Sequence, residues 1–289
     1  MAAVTVAVAA SGMVFSGVNL GLEFVGGRLF EFSTAQPVDL EDLRASLAGG
    51  GLPTSVIQES GEGNLIVRTE DLDEFEEAVL IEQVEAAGGQ TELVRDQFVG
   101  PTLGAELRNR ALVALGIAVL IQLIYLAIRF RWTIALASVL AMVHDVVILI
   151  GLFAWLGKTF DGVFLAALLT VIGYSVNDSV VIFDRIREQI RLRPDDPIEE
   201  IANDACLQTV PRTINTGLGA VLILVSLYVL GGDTLADFAL ALLIGILVGT
   251  YSSVFTASPI AIFFEQRFPR PPPEPESKTP VGRSRSGRG

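Results

Sequence analysis

The chain has 289 residues, of which 51% are hydrophobic and only 18% are charged, and its mean hydropathy is +0.55. This composition excludes an intrinsically disordered chain, which needs low hydrophobicity and high charge. The single cysteine, Cys206, excludes a disulfide framework and a multi-cysteine metal site. The net charge of −13 argues against nucleic acid as the main partner.

Long apolar runs dominate the sequence, and crossing a hydrocarbon core of ~30 Å takes about 20 residues. Five runs have this length, at 111–128, 132–156, 163–183, 213–230 and 238–264. A sixth run at 2–18 has no charged residue before it, so it lacks the basic start of a signal peptide. We interpret 1–20 as a first transmembrane helix whose true start lies upstream of Met1. The prediction is a polytopic α-helical membrane protein with six spans.

The segment 21–110 has the composition of a small soluble domain, with 18 acidic and 6 basic residues. Its patterns predict strands at 28–33, 54–58, 64–69 and 92–98, with a turn containing Gly61 and Gly63. Two amphipathic helices are predicted between them, one at Leu40, Leu43 and Leu47 after Asp39, the other at Leu72, Phe75, Val79 and Leu80 after Asp71. The order β-α-β-β-α-β is typical of a ferredoxin-like domain. Its acidity indicates a solvated surface or, alternatively, a docking surface for a basic partner.

The remaining chain is predicted to be a five-helix region at 111–265, with a charged connection at 184–211 and a disordered tail at 266–289. The connection is expected to contain an amphipathic helix at 198–207. If 111–128 runs from outside to inside, Lys158 is the only basic residue of the short outer connections. Thirteen basic residues then face the cytoplasm: Arg129, Arg131, Arg185, Arg187, Arg191, Arg193, Arg212, Arg267, Arg270, Lys278, Arg283, Arg285 and Arg288. The positive-inside rule therefore predicts cytoplasmic termini.

Asp178 is an unusual residue because a charge within a membrane helix costs about 2.5–3.5 kcal/mol on insertion scales. It lies six residues before Asp184, where the charged connection begins. At ~1.5 Å per residue this depth is roughly 9 Å, which is too deep for an interfacial residue. Tyr174 and Asn177 give it polar neighbours.

Arg212 opens the next span at the same end of the membrane, and its side chain could reach Asp178. A carboxylate beside a guanidinium stays ionised, and withdrawal of the guanidinium favours the protonated acid. Such a pair could carry protons, since one charge across 100 mV is worth about 2.3 kcal/mol. The alternative is a static pair that locks the helices together.

His144 and Asp145 lie near the middle of 132–156. Consecutive side chains on a helix point in different directions, so we interpret them as packing or hydrogen-bonding residues, with a proton site as the alternative. Gly245 and Gly249 form a G-x-x-x-G pair, which is typical of close helix packing within a bundle or against a partner. Pro259 is expected to loosen the same helix and free a carbonyl one turn earlier.

The sequence shows no metal-ligand spacing, no Ser-His-Asp set and no phosphate-binding loop. Gly26 and Gly27 are too few for a nucleotide fingerprint and indicate a tight turn before the first strand. We therefore expect a protein that is not an enzyme and has no cofactor or metal.

Several stretches together resemble the SecF family of bacterial protein-export membrane proteins. They are GYSVNDSVVIFDRIRE at 173–188, GLEFVGGRLFEF at 21–32, VGPTLGAEL at 99–107, IRFRW at 128–132, the His144–Asp145 pair, PRTINTGLGAVL at 211–222 and FALALLIGILVGTYSSVFTASPI at 238–260. The resemblance covers about 17–265. It departs from the family's usual D-F-T-G-G-T at 23–28, which here reads E-F-V-G-G-R.

The resemblance implies six spans, an outer ferredoxin-like domain and assembly with SecD into a twelve-span unit of the RND superfamily. That unit would sit in the bacterial cytoplasmic membrane and use the proton motive force to assist the SecYEG channel, with SecA and YajC nearby and unfolded exported polypeptides as substrates. Asp178 and Arg212 match the family positions proposed to carry protons. The alternatives are a proton-coupled RND-like exporter of small molecules or lipids, and a scaffold of the channel that transports nothing. Intramembrane hydrolysis is disfavoured because no paired aspartate or Ser/His set is present.

Overall fold

The structure is a computed structural model that describes residues 2–52, 56–59 and 64–268. These residues are mostly helical and include one small antiparallel sheet. The helices are α1 Ala2–Phe15, α2 Leu22–Val25, α3 Leu40–Gly49, α4 Glu74–Gly88, α5 Pro101–Arg129, α6 Trp132–Trp155, α7 Gly162–Leu192, α8 Ile198–Leu230, α9 Asp233–Ser252 and α10 Ser258–Arg267. A π-helical segment, Ser253–Ala257, joins α9 to α10. The strands are β1 Gly27–Thr34, β2 Val56–Glu59, β3 Leu65–Thr69 and β4 Thr91–Val99. The turn expected at Gly61 and Gly63, and nearly all of the expected tail, lie outside the described residues.

The four strands form one sheet in the order β2-β3-β1-β4, and every neighbouring pair is antiparallel. In the register, Phe30 of β1 pairs with Val67 of β3 on one side and with Asp96 of β4 on the other. Phe30 and Phe32 are fully buried because that face of the sheet packs against α3 and α4. We call β1–β4 with α3 and α4 the sheet domain. The predicted element order β-α-β-β-α-β is the observed one.

The helix caps of the sheet domain agree with the sequence at α3 and differ at α4. Asp39 caps α3 by accepting hydrogen bonds from the backbone of Glu41 and Asp42. The cap of α4 is Asp73, which forms a capping box with Glu76, and not Asp71. Phe75 is 76% exposed, so it does not belong to the buried face that was expected for it. Phe75 lies five helical steps of about 100° before buried Leu80, so the two side chains point about 140° apart.

A tight turn requires glycine at the start of β1. Gly26 and Gly27 have φ angles of 82° and 114°, which residues with a side chain rarely adopt. A Cβ atom on Gly27 would also lie 2.3 Å from the carbonyl oxygen of Thr69. This close approach brings β1 into its pairing with β3.

The chain is a multi-pass membrane protein. Within the described ranges, five helices are long and apolar enough to cross a membrane: α5, α6, α7, α8 and the continuous run Leu235–Arg267. The expected first span corresponds to α1, which has 14 residues and is shorter than these five. We refer to α1 and α5–α10 as the bundle.

Three expected boundaries fall inside helices of the structure. The outer segment was expected to end at 110, but α5 already begins at Pro101. The connection was expected at 184–211, but α7 continues to Leu192 and α8 begins at Ile198. The separate helix expected at 198–207 is therefore the first part of α8. Pro211 does not end this helix, because neighbouring groups can compensate for its one missing backbone hydrogen bond.

Two sets of contacts tie the peripheral elements to the bundle. α1 packs against α6 so closely that a Cβ atom on Gly151 would lie 2.1 Å from the carbonyl oxygen of Ala9. Arg68 of β3 donates to the Thr159 hydroxyl, 2.8 Å away in the connection between α6 and α7, and to Asn19 at 3.1 Å. Burial lowers the pKa of Arg68 below its ordinary value, and nearby Asp161 partly opposes this effect. The sheet domain is thus anchored on the α6–α7 connection.

Candidate proton site

Asp178 is held between three elements of the bundle. It is 8% exposed, and its Oδ1 accepts a hydrogen bond of 2.7 Å from the Thr213 hydroxyl of α8. Its Oδ2 accepts a bond of 2.5 Å from the Ser253 hydroxyl, at the first residue of the π-helical segment. Both carboxylate oxygens are therefore satisfied by hydroxyl groups from two different helical elements.

Asp145 forms a second buried carboxylate site. It is 1% exposed, and its Oδ2 accepts hydrogen bonds from Ser175 of α7 and, at 2.6 Å, from Ser252 of α9. Its Oδ1 lies 2.9 Å from Nδ1 of His144. The expectation that these neighbouring side chains would point apart is wrong, because the imidazole turns along the helix far enough to reach the carboxylate.

His144 has one ring nitrogen that remains unpaired. The residue is 7% exposed, and its Nε2 is buried without a hydrogen-bond partner among the described residues. A buried imidazole with one nitrogen on a carboxylate can accept or donate a proton at the other nitrogen. His144 and Asp145 are therefore joined by a direct hydrogen bond, and each is also buried in the bundle.

Two adjacent serines connect the carboxylate sites. Ser252, the last residue of α9, binds Asp145, and Ser253 binds Asp178. Consecutive helical residues point about 100° apart, so these two neighbouring serines can bind aspartates on two different helices. The carbonyl of Ser253 accepts a 2.9 Å bond from the Ser258 hydroxyl. π-helical segments occur often at functional sites, and this one lies just before Pro259, where the sequence predicted a loosened helix.

Arg212 does not contact Asp178 in this structure. The residue is exposed, and no ion pair joins it to Asp178 among the described residues. Thr213, its neighbour, faces Asp178 instead, and the turn of about 100° between them directs Arg212 elsewhere. The expected carboxylate–guanidinium pair is replaced here by a carboxylate–hydroxyl pair.

The other two polar neighbours are placed differently from each other. Tyr174 is half-buried one turn before Asp178, and its hydroxyl oxygen would lie 3.4 Å from a Cβ atom on Gly217 of α8. Asn177 is exposed and makes no side-chain hydrogen bond or ion pair in the described part of the chain. The structure thus brings Tyr174, and not Asn177, towards the site.

The G-x-x-x-G pair packs α9 against α7 within this chain. A Cβ atom on Gly245 would lie 2.1 Å from Cγ2 of Val171, and one on Gly249 would lie 3.2 Å from Cβ of Ser175. Ser175 is itself a donor to Asp145. The close approach therefore brings Ser252 and Ser253 within reach of the two aspartates.

Sequence reasoning identified Asp178, His144 and Asp145, and it assigned no carboxylate partner to four hydroxyl residues. Ser175, Thr213, Ser252 and Ser253 complete the two sites. The available signal was the clustering of small hydroxyl residues within apolar helices. Among the described residues, no three His, Cys, Asp or Glu side chains are grouped so that they could hold a metal ion.

Two family models match the chain. The model for "Protein export membrane protein SecD/SecF, C-terminal" matches residues 79–267, which is more than half of the chain, and the "SecD/SecF GG Motif" model matches 12–38. The second match contains Gly26 and Gly27.

Curated relatives have the same assignment. "Protein translocase subunit SecF" from Sebaldella termitidis is 37% identical over 262 residues, covering 89% of this chain and 85% of the relative. The protein of the same description from Pseudomonas aeruginosa is 39% identical over 251 residues, covering 86% and 82%. "Protein translocase subunit SecDF" from Thermus thermophilus is 37% identical, and the match covers 92% of this chain but only 37% of the relative.

Solved structures agree with this assignment. The crystal structure of SecDF from Thermus thermophilus, described as a translocon-associated membrane protein, matches 92% of this chain with a TM-score of 0.83 and 36% identity. This chain covers 37% of that longer chain. A SecDF structure in a super-membrane-facing form matches with a TM-score of 0.67 and 38% identity. The chain belongs to the SecF family of protein-export membrane proteins.

Proposed function

We propose that this chain is a subunit of the SecDF accessory complex of the bacterial Sec translocase and uses the proton motive force to promote protein export through the SecYEG channel. The observation that carries the proposal is the arrangement of Asp145 and Asp178, two buried carboxylates bound by adjacent serines of one helical element. The names of the relatives, which are translocase subunits, support the role in export.

Proton binding at Asp178 would change its contacts with two helices. An ionised carboxylate accepts at both oxygens, whereas a protonated one becomes a donor at one of them. Either Thr213 or Ser253 must then reorient or lose its bond. Because these residues belong to α8 and the π-helical segment, proton binding would favour a different placement of those elements.

Arg212 enters this mechanism in another conformation. A rotation of α8 by about 100°, the angle between consecutive residues, would bring Arg212 to the position that Thr213 occupies. The guanidinium would then hold Asp178 in its ionised form. Movement of one charge across 100 mV supplies about 2.3 kcal/mol, which is comparable with a hydrogen bond to a charged group. Alternation between the hydroxyl and the guanidinium would therefore couple proton flow to helix movement.

The proposed partners are SecD, SecYEG with SecA and YajC around it, the exported polypeptide and membrane lipid. Support for SecD comes from the Thermus thermophilus SecDF chain, of which this chain matches 37%. Two spans also expose apolar surface. In the most apolar 18-residue stretch of α5 only 6% of the residues are buried, and in that of α8 only 17% are buried. Burial of these surfaces against a second set of helices would complete the membrane unit.

The topology and the finer fold also belong to the proposal. We propose six spans, with α1 as the first, in the bacterial cytoplasmic membrane with both termini inside. The sheet domain would then be an outer domain at 21–100. Its element order and its sheet order β2-β3-β1-β4 support a ferredoxin-like class.

A scaffold role is the second candidate, because Asp178 could simply hold α8 and the π-helical segment together. Vesicles that contain this chain, its SecD partner and the channel separate the two roles. We expect Asp178→Asn to assemble normally and to lose the stimulation of export by an imposed proton gradient. Asp195→Asn, an exposed change in the connection between α7 and α8, is the matched control. Defective assembly with retained stimulation would favour the scaffold.

A further inference from the structure

A cleft of about 340 Å³ lies between the end of α5 and the last turns of α7, away from the candidate proton site. We name it the arginine cleft; it is lined by Arg129, Asp184, Arg187, Glu188, Arg191 and Leu192. The α7 residues recur at intervals of three and four, so they form one stripe of that helix. Arg129 is the last residue of α5.

The contacts inside the cleft leave an excess of positive charge. Arg129 donates to both oxygens of Asp184 at 2.7 Å, which largely satisfies that carboxylate. Glu188 is paired at 2.5 Å with Arg185, which lies outside the cleft. Both carboxylates of the lining are thus paired with arginines.

Two guanidinium groups keep donors available in the cleft. Arg187 donates to the backbone carbonyl of Arg129 at 3.3 Å and lies 3.9 Å from Asp184, so it is only weakly paired. Arg191 is exposed and has no hydrogen bond or ion pair with any described residue. Residues four apart on a helix face the same way, so the two can converge on one group. A guanidinium fork matches the oxygen atoms of a phosphate.

The cleft lies at the level of lipid headgroups. α7 has 31 residues, so at ~1.5 Å per residue it is about 46 Å long, whereas the hydrocarbon core measures ~30 Å. When the charged N-cap Asp161 is taken as one edge of the core, the last ten or so residues of α7 extend beyond the opposite edge, and they include Arg187 and Arg191. Apolar side chains flank the cleft, because Leu192 is 67% exposed and Ile128, just before Arg129, is 83% exposed.

We propose that the arginine cleft binds the headgroup phosphate of an anionic phospholipid, with Arg187 and Arg191 as its donors. Basic pockets between membrane helices at this level are suited to such headgroups. The excess positive charge favours a headgroup with a net negative charge over the zwitterionic headgroup of phosphatidylcholine, whose choline cation it repels. Ile128 and Leu192 offer apolar contacts to the first part of the acyl chains.

Native mass spectrometry of the full chain, released from nanodiscs that contain equal amounts of phosphatidylglycerol and phosphatidylcholine, tests the proposal. We expect selective retention of phosphatidylglycerol. Arg187→Gln with Arg191→Gln should reduce this retention by roughly tenfold or more. Arg267→Gln is the control, because Arg267 is an exposed arginine of α10 outside the cleft and its substitution changes the net charge in the same way per residue.

Arg191→Gln alone guards against a folding defect, since Arg191 has no hydrogen bond or ion pair to lose within the described ranges, and it should still lower retention several-fold. Addition of millimolar inorganic phosphate separates a lipid site from a site for free phosphate, and we expect it to displace no lipid. Equal retention of the two lipids, an equal loss in Arg267→Gln, or displacement of the lipid by phosphate would each overturn the proposal.

Discussion

The two carboxylates of the candidate proton site are satisfied by hydroxyl groups. Asp178 accepts from Thr213 and Ser253, and Asp145 accepts from Ser175 and Ser252. Hydrogen bonds to charged groups contribute about 1.5–3 kcal/mol each, and hydroxyl groups can reverse their role when a proton arrives. A hydroxyl-lined carboxylate can therefore change its protonation state without leaving a buried polar group unpaired.

The first prediction concerns Ser253. Ser253→Ala removes a donor to Asp178, so we expect a loss of about 1–3 kcal/mol in stability and weaker stimulation of export by a proton gradient. Ser226→Ala is the control, because the Ser226 hydroxyl bonds only to the carbonyl of Leu222 in its own helix. Thermal unfolding and gradient-dependent export of the purified complex measure the two effects. Equal behaviour of the two variants would contradict a role for Ser253.

The second prediction concerns Arg28, which bonds to Asp96 across the β1–β4 pair and to Glu77 of α4. The hydrogen bond from Arg28 holds the pKa of Asp96 below its ordinary value. Its stabilisation is therefore present above the ordinary pKa and is lost as the pH falls through the lowered pKa.

Arg28→Gln should remove this contribution, about 0.5–1 kcal/mol because the pair is partly exposed to solvent. Hydrogen exchange of β1 and β4 in the full chain measures the effect. At pH 7 the amides of β1 and β4 should be less protected from exchange in the variant than in the wild type. The part of this difference that comes from the Arg28–Asp96 pair should shrink below about pH 4. A difference that grows on acidification would show that the sign is wrong.

The elements of the bundle are positioned by close approaches of small residues. Gly245 and Gly249 let α9 lie against α7, and the consecutive residues Ser252 and Ser253 then reach different aspartates. The packing of α9 and the geometry of the proton site are therefore one structural feature. A change in either helix would move the donors relative to the carboxylates.

The third prediction tests this packing. Gly245→Ala should cost about 1–3 kcal/mol, because the new Cβ atom would lie 2.1 Å from a methyl group of Val171. Gly219→Ala in α8 is the matched control, since nothing lies within 4 Å of its added Cβ atom. The melting temperature of the purified protein should fall for the first variant only. A similar decrease for both would argue against a specific contact at Gly245.

The position of Asp178 in an apolar helix and the element order of the sheet domain could be predicted because these depend on local patterns. A charge in an apolar run and an alternation such as Phe30 and Phe32 are visible without knowledge of the fold. The partners of Asp178 were not predictable, because they depend on which face of α8 and of α9 meets α7. Arg212 was expected to pair with Asp178, but the adjacent residue Thr213 does so. The sequence did not indicate which face of α8 points towards α7, because Pro211 interrupts the helical pattern.

At the scale of the whole molecule, the sheet domain and the bundle meet at a polar junction. Besides Arg68, the carboxylate of Glu23 accepts a 2.7 Å bond from the backbone of Gly162 at the start of α7. Leu20 forms a β-bridge with Phe160 in the same region. The helix that carries Asp178 therefore also contacts the segment just before the sheet domain.

The fourth prediction concerns orientation. In a chain whose Cys206 is replaced by serine, Ala86→Cys places a thiol on an exposed position of α4, and Asp195→Cys places one in the connection between α7 and α8. An impermeant thiol reagent added to intact cells with a permeable outer envelope should label only Ala86→Cys. Asp195→Cys should react after lysis. The reverse pattern would invert the proposed topology.

The central claim is that Asp178 binds and releases the protons that drive the cycle. Its most direct test is proton uptake by vesicles that contain this chain assembled with its SecD partner, followed with an internal pH-sensitive dye under an imposed gradient. We predict uptake with the wild-type chain and with Asp195→Asn, and none above the lipid background with Asp178→Asn. Uptake by assembled Asp178→Asn complexes at the wild-type rate would contradict the account.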